Sequence, residues 1–394
     1  MSGLLLWLAG GLLIVPLLIY TIEVFIGLPR LQVVSPIQDC SVAILIPAHD
    51  EARGIRSTLC ELLAVAPPGC RIVVVADNCN DDTATIARSA GVTAIERHDP
   101  ERRGKGYALN FGRAFLAQYP PDAVVILDAD CRAKPGSIER LAAVACRTGQ
   151  PAQGVNTLEP DRTASPLVQI SSFSFLVKNL VRARGIFRSG GLTLLTGTGM
   201  AFPWPLFRDA SLATESIVED LALGVELTLK GYRTLLVGDA GVTSPSAHRQ
   251  DLLDQRARWE RGFVDVARRW ALPLLAHGTA TGSRASLVLG LHLLVPPLAM
   301  LIAVSAVGLA ALGAAALLGA SAAPAIALGL ALAAAMVATL AAWGIEGRGT
   351  LTARALLMAP LYVLWKIPMY LKFLRGAPPK WMRTRRRAVP QADD

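Results

Sequence analysis

Charge is what this sequence holds least of: 18 % of its 394 residues are charged, against 53 % hydrophobic. The deficit is local. Residues 285–345 contain no charged side chain, and residues 1–29 contain one, Glu23. Such stretches exclude an ordinary water-soluble chain and point to a membrane protein. Cysteine pairs of the C-x-x-C kind are absent. Cys40, Cys60, Cys70, Cys79, Cys131 and Cys146 are therefore expected to be reduced thiols in a cytosolic compartment, with no structural zinc. Neither a Walker A pattern nor a G-x-G-x-x-G occurs, so neither an ATPase loop nor a hydride cofactor is suggested. The first apolar run lacks a basic leader and is too long for a signal-peptide core, which argues against cleavage.

What is present divides into apolar and mixed segments. Gly3 to Ile26 is long enough to cross a bilayer, which takes about 20 apolar residues. Arg30 follows it, and the positive-inside rule places the next domain in the cytoplasm. Two more spans are expected at 287–311 and 322–344, with small residues suited to close packing in lipid. Segment 355–371 carries Lys366, Pro360 and Pro368 and reads as interfacial or re-entrant, since a span there would put the basic tail outside. That tail (Lys380, Arg383, Arg385, Arg386, Arg387) supplies part of the net +9 and reads as a membrane-facing cluster rather than a nucleic-acid site. His277 and His292 flank the second span and read as packing or interfacial residues.

From Ser41 onward short β-branched runs alternate with helical patterns. Strands are expected at Val42–Ile46, Ile72–Val75, Val92–Ile95 and Ala123–Leu127. Helices are expected at 51–66, 83–90, 104–118 and 135–148. This alternation implies βαβ units and a mostly parallel sheet. Ligands in such sheets bind at the carboxyl ends of strands. Three strands end in polar clusters there: Pro47-Ala-His-Asp-Glu51, Asp77 to Asp82, and Asp128-Ala-Asp130. Each alone is ordinary turn or capping chemistry. Together they form one acidic edge, able to hold a hard divalent cation through oxygen and a phosphate through the cation. Arg102-Arg-Gly-Lys-Gly106 opens a helix between them, where the helix end and Lys105 both favour an anion.

These motifs, in this order, resemble the membrane-bound family 2 glycosyltransferases, a GT-A group that includes cellulose, chitin and hyaluronan synthases. The resemblance runs from about Ser41 to Trp270. Val42-Ala-Ile-Leu-Ile-Pro-Ala-His-Asp-Glu51 is similar to the family's first strand and loop, with His49-Asp50 where Tyr or Phe followed by Asn is more usual. Gly104-Lys-Gly-Tyr-Ala-Leu-Asn110 resembles the segment beside the nucleotide, and Ser216-Ile-Val-Glu-Asp220 the Thr-Glu-Asp motif, with Val218 in place of Thr. Gln255-Arg-Ala-Arg-Trp259 is a full Q-x-x-R-W. The resemblance implies an inverting transfer with Asp220 as base and Mg²⁺ or Mn²⁺ on Asp128 and Asp130. Implied donor contacts are Pro47, Ala48, Glu51, Asp77 (to the base), Lys105, Asp128, Gln255, Arg258 and Trp259. Implied acceptor contacts are Thr198, Gly199, Glu219 and Trp259, with Trp204 as a further stacking platform. On a helix, Gln255, Arg258 and Trp259 share one face.

The expected organisation is an N-terminal transmembrane helix (1–29), a cytosolic GT-A domain (38–275), a membrane region (285–375) and a basic cytoplasmic tail (376–394). Between the metal motif and the base, Ser171–Arg188 is basic and amphipathic; it either lies on the membrane or packs on the domain's own core. Expected partners are a nucleotide-sugar donor, probed first as a UDP-sugar, a glycan or lipid-linked acceptor, membrane lipids, and other polysaccharide-synthesis or export proteins. Exopolysaccharide or cell-envelope polysaccharide synthesis competes with single-sugar transfer to a polyprenyl-phosphate or other lipid. Outside enzymes, an inactive membrane scaffold or a transporter remains. A scaffold has no need of Asp130, Asp220 and Arg258, all retained, and the spans are nearly featureless, where a transporter would bury charged or broken-helix sites at mid-membrane.

Overall fold

The computed structural model describes residues 2–31, 40–213, 218–245 and 252–374. They form two units, the first made of 2–29, 160–190 and 252–374, the second of 30–31, 40–159, 191–213 and 218–245. The chain begins in the first unit with α1 (Ser2–Gly27) and passes to β1 (Val42–Ala48) in the second. There follow α2 (Ile55–Val65), β2 (Arg71–Asp77), α3 (Thr83–Ser89), β3 (Thr93–Arg97), α4 (Lys105–Leu116), β4 (Ala123–Ile126), β5 (Arg132–Ala133), α5 (Ser137–Thr148) and β6 (Ala152–Leu158). The chain re-enters the first unit through α6 (Pro166–Leu176), a π-helical turn at Val177–Arg182 and α7 (Ala183–Gly190). It returns for β7 (Met200–Pro203), α8 (Trp204–Asp209), α9 (Glu219–Leu229) and β8 (Leu235–Ser244). The remainder is helical: α10 (Leu252–Thr281), α11 (Arg284–Leu293), α12 (Leu298–Leu317), α13 (Ala323–Ala342), a second π-helical turn, α14 (Ala353–Leu356) and α15 (Ala359–Leu374).

The second unit is built on one sheet of order β3-β2-β1-β4-β7-β6-β8-β5. Its first four strands run parallel, as the alternating pattern predicts. β7 then enters antiparallel against β4 and β6, and β5 antiparallel against β8, so the sheet is mixed at that side. Alternate residues of the central strands feed two cores. Ile44, Ile46, Val74 and Val125 meet α2 and α5 on one face. Leu45, Val73, Val75, Val124 and Ile126 meet α4, α8 and α9 on the other. Burial on both faces explains why the strands read as continuous apolar runs. Each such side chain contributes about 1.5–3 kcal/mol. The strand ends are left to polar residues.

In the first unit three helices are long and apolar enough to cross a membrane: Gly3–Gly27, Leu298–Leu317 and Ala323–Gly347. The expected span at 287–311 is corrected: the chain breaks at Pro296-Pro297, and the long helix starts at Leu298. A proline ring forbids the interior helical hydrogen bond, and composition alone does not mark the break. Pro160–Gly190 and α10 pack with these helices in the first unit. The reason is ionic as well as apolar. Arg182 donates to Glu23 of α1 at 2.7 Å, and His292 Nδ1 lies 2.9 Å from the other Glu23 oxygen. Arg184 pairs with Glu346 at 2.8 Å. The basic residues of 171–188 thus include two turned inward onto carboxylates, and the first span is not featureless at Glu23. Close packing completes the contact: a Cβ on Gly185 would lie 2.0 Å from the Glu23 carbonyl oxygen, and one on Gly27 1.9 Å from that of Val181. Lys366 of α15 is buried against Glu260 of α10, with the Tyr370 hydroxyl donating to the same carboxylate at 3.0 Å. The basic tail from Lys380 lies outside the described residues.

Candidate active site

β4 is fully buried and stops at the residues that cannot be. Directly after it the chain turns, with the Cys131 amide donating to the Asp128 carbonyl at 3.0 Å, and Asp128 and Asp130 come to its two sides. Their carboxylate oxygens and the Cys131 sulfur lie within 4.8 Å of one another. Burial pushes the Cys131 thiol well above its ordinary range.

Lys105 begins α4 and is the cation of this cluster. Its ammonium pairs with Asp128 and donates to the Gly197 carbonyl at 2.5 Å. Burial opposes the charge, but Asp128, Glu219 and Asp220 more than offset it and raise the pKa. Glu219 and Asp220 form the first turn of α9. Asp220 accepts from the Leu221 amide at 2.8 Å, and a Cβ on Gly197 would lie 3.2 Å from Asp220 Oδ2 and 3.3 Å from Lys105 Nζ. Gly197 also has φ +83°, so at this point only glycine serves without strain. Burial, then the charge of Asp220, push Glu219 up to about 7, with Lys105 acting against them. Three carboxylates (Asp128, Glu219, Asp220) thus surround one ammonium, and Asp130 lies beside the first of them. That excess of negative oxygen suits a hard divalent cation.

The loop from Thr196 to Gly199 is fixed from behind by Gln153, a residue that the sequence reading missed. Its amide nitrogen donates to the carbonyls of Thr198 at 2.9 Å and Gly199 at 3.2 Å, and its oxygen accepts from the Thr196 amide at 3.0 Å. A buried amide near the start of a strand is the signal that could have found it. Thr198 and Gly199, expected at the acceptor, face inward: the Thr198 hydroxyl accepts from the Asp128 amide at 3.1 Å, and the Gly199 amide donates to Ile126 at 2.9 Å. Within this loop Gly197 approaches the carboxylates. Trp204 packs on the core beside Phe207, centroids 6.3 Å apart, and not as an open platform.

At the other strand ends, Asp77 is buried and accepts from Arg97 at 2.6 Å and from Asn78 at 3.1 Å. Arg97 in turn bonds Asp99 at 2.9 Å and lies over the Tyr107 ring at 5.6 Å. Pro47 pairs in register with Val75, Ala48 is buried, and the Glu51 carbonyl starts α2 by accepting from Ile55 at 3.0 Å. Ser216 and Ile217 of the acidic motif lie outside the described residues.

The Q-x-x-R-W residues lie on α10, in the helical unit. Trp259 stacks with Phe175 at 5.6 Å and under the Arg256 guanidinium at 5.1 Å. Arg256 is buried and donates to the Ser171 hydroxyl at 2.7 Å. Gln255 Oε1 is buried with no hydrogen-bond partner.

The profile of the family described as "Glycosyltransferase like family 2" matches residues 39–262. Among solved structures, a mannosyltransferase from Pyrobaculum calidifontis in complex with GDP-Man and Mn²⁺ is similar at 18 % identity and a TM-score of 0.51, over 86 % of this chain and 100 % of that one. A glucosyl-3-phosphoglycerate synthase from Mycobacterium tuberculosis, in complex with Mn²⁺, UDP and glucosyl-3-phosphoglycerate, is 20 % identical with a TM-score of 0.41, over 58 % of this chain and 80 % of that one. No curated protein matches.

Proposed function

Because the chain belongs to the glycosyltransferase family 2, we propose that its α/β unit transfers a sugar, with inversion, from a nucleotide-sugar to the hydroxyl of a glycan or lipid-linked acceptor. The observation that carries this reading is the convergence of Asp128, Glu219 and Asp220 on Lys105 and Gly197. Asp128 and Asp130 would supply the oxygen donors for Mg²⁺ or Mn²⁺. When bound, such an ion neutralises the leaving diphosphate as a Lewis acid. The chain's own groups do the rest. Asp220 takes the acceptor's hydroxyl proton, the acceptor oxygen bonds to the anomeric carbon, and the bond to the diphosphate breaks with its electron pair leaving on phosphate oxygen. Lys105, held as ammonium, favours that anion. Glu219 belongs to the acceptor side, Thr198 and Gly199 shape the loop facing it, and Pro47, Ala48, Glu51 and Asp77 form the nucleotide edge. From the family resemblance alone, Gln255 and Arg258 are assigned to the donor and Trp259 to donor and acceptor.

The three apolar helices anchor the chain in a membrane with the α/β unit on the cytoplasmic side, where nucleotide-sugars are made. Exopolysaccharide or cell-envelope polysaccharide synthesis is the first reading of the product. The second, single-sugar transfer to a polyprenyl-phosphate or other lipid, is favoured by one observation: among the described residues only three helices are long enough to span, few for a wide secretion channel. Purified protein screened with UDP-, GDP- and dTDP-sugars and membrane extract, with mass spectrometry of products, decides between them. Transfer should require Mg²⁺ or Mn²⁺ and disappear in Asp130→Ala. Asp220→Asn should bind nucleotide normally and turn over at least about 100-fold slower. Normal turnover in Asp220→Asn would remove it as the base.

A further inference from the structure

The turns after β1 and β2, beside the residues assigned to the nucleotide edge, carry a second set of ligand side chains. His49, Asp50 and Cys79 bring an imidazole nitrogen, a carboxylate oxygen and a thiol sulfur within 4.8 Å of one another. Their orientation is fixed by the turns themselves. His49 Nδ1 lies 2.7 Å from the Asp77 carbonyl oxygen, which can only accept, so Nδ1 carries a proton and donates there. Metal-binding histidines are held in this way, with the far nitrogen donating to a backbone carbonyl. Nε2 then lies 3.7 Å from Asp50 Oδ2. The other carboxylate oxygen, Oδ1, accepts from the Asn80 amide at 2.7 Å. Cys79 Sγ accepts from the Asp50 amide at 3.3 Å, a bond that strengthens when the sulfur is a thiolate. Asp50 and Asn78, both at φ 52°, are the non-glycine residues of positive φ among the described residues, and both sit in these two turns.

The chemistry of the set is selective. Imidazole, thiolate and carboxylate together suit a borderline-soft ion of the zinc class and suit Mg²⁺ poorly, since Mg²⁺ takes oxygen. With bond lengths of about 2.0–2.3 Å, tetrahedral ligand atoms stand roughly 3.3–3.6 Å apart. Atoms within 4.8 Å of one another therefore need to close by no more than about 1.5 Å, within the reach of side-chain rotation. Three protein ligands leave a fourth position open. Sequence spacing hides the set because its members come from two strands, 29 positions apart between Asp50 and Cys79.

We propose that His49 Nε2, Asp50 Oδ2 and Cys79 Sγ bind one zinc-class divalent cation, separately from Asp128 and Asp130, and that the ion restrains the nucleotide edge. On binding, the Cys79 thiol gives its proton to solvent and the sulfur becomes a ligand. The binding claim stands on geometry; its effect on transfer rests on the reading of Asp77 as a nucleotide contact.

The test uses the full chain in detergent, stripped by chelator and titrated with Co²⁺. One equivalent should produce a thiolate-to-cobalt charge-transfer band that Zn²⁺ then removes. Cys79→Ser should abolish the band and His49→Phe should weaken Co²⁺ binding at least about tenfold, while Asp130→Asn should leave the band intact. Absence of the band in the wild type, or its survival in Cys79→Ser, overturns the site. Loss of the band in Asp130→Asn overturns it too, by placing the thiolate at Cys131. Thermal unfolding with and without Zn²⁺ gives a second readout: the wild type should gain Tm and His49→Phe should not. Stoichiometric Zn²⁺ with excess Mg²⁺ should change the transfer rate of the wild type and not that of Cys79→Ser. A band without any rate effect overturns the regulatory clause alone.

Discussion

Burial raises the energy of the Lys105 ammonium, yet its pKa rises because Asp128, Glu219 and Asp220 all face it. The same crowding acts in the opposite sense on Glu219, a carboxyl pushed up to about 7 by burial and by Asp220. An acid whose pKa is higher in the folded chain binds its proton more tightly there than when unfolded. Its penalty is absent below the unfolded value of 4.5 and fully present above about 7. Wild-type stability should therefore fall, relative to Glu219→Gln, as pH rises through that window. Thermal unfolding at a series of pH values checks this; parallel curves would show that Glu219 is ionised in the folded chain throughout. The residue scale is also where the sequence was most and least informative. Asp128, Asp220 and Lys105 were legible as an acidic edge with one helix-opening cation. The Arg97–Asp77 pair was not, because nothing in linear order says that β3 lies beside β2 in register with Asp77 opposite Arg97.

At the scale of elements, the loop from Thr196 to Gly199 is the part whose shape most directly sets the site. It presents the Gly197 carbonyl to Lys105 and the Thr198 hydroxyl to the Asp128 amide. Gln153 holds it with three hydrogen bonds made from inside the sheet. Gln153→Leu keeps the volume and strands those partners, at a cost of about 1–3 kcal/mol for the buried groups left unmade. Turnover should drop while nucleotide affinity, proposed to be set largely at the ends of β1 and β2, stays near wild type. Nucleotide titration beside a single-turnover assay separates the two. An equal fall in both would mean that the loop holds the donor as well. The central strands were readable from sequence because both faces are buried. β6 and β8 were not: Gln153 and Asn156 interrupt one, Gly238 and Asp239 the other, and their pairing shifts register between Gly154 and Val155. Those irregularities are the strand's accommodation of the loop.

For the whole molecule, composition gave three apolar segments and misplaced one, since absence of charge cannot show where Pro296-Pro297 ends a helix. Composition also left Glu23 as a stray charge, whereas it pairs with Arg182 and His292 across three helices. Removing one member of such a group strands the others, which costs about 3–5 kcal/mol, so the arrangement fixes how these helices meet. The cytoplasmic placement proposed for the α/β unit rests on Arg30 and the positive-inside rule. Cys60 makes that orientation testable, being an exposed thiol on α2 of the α/β unit. A membrane-impermeant maleimide added to intact cells should leave Cys60 unmodified, and the same reagent should modify it in inverted vesicles. The variant Cys60→Ser supplies the control, because the remaining five cysteines are half-buried or buried. Labelling of Cys60 in intact cells would place the α/β unit outside, away from cytoplasmic nucleotide-sugars, and would remove the premise on which a sugar-nucleotide donor rests.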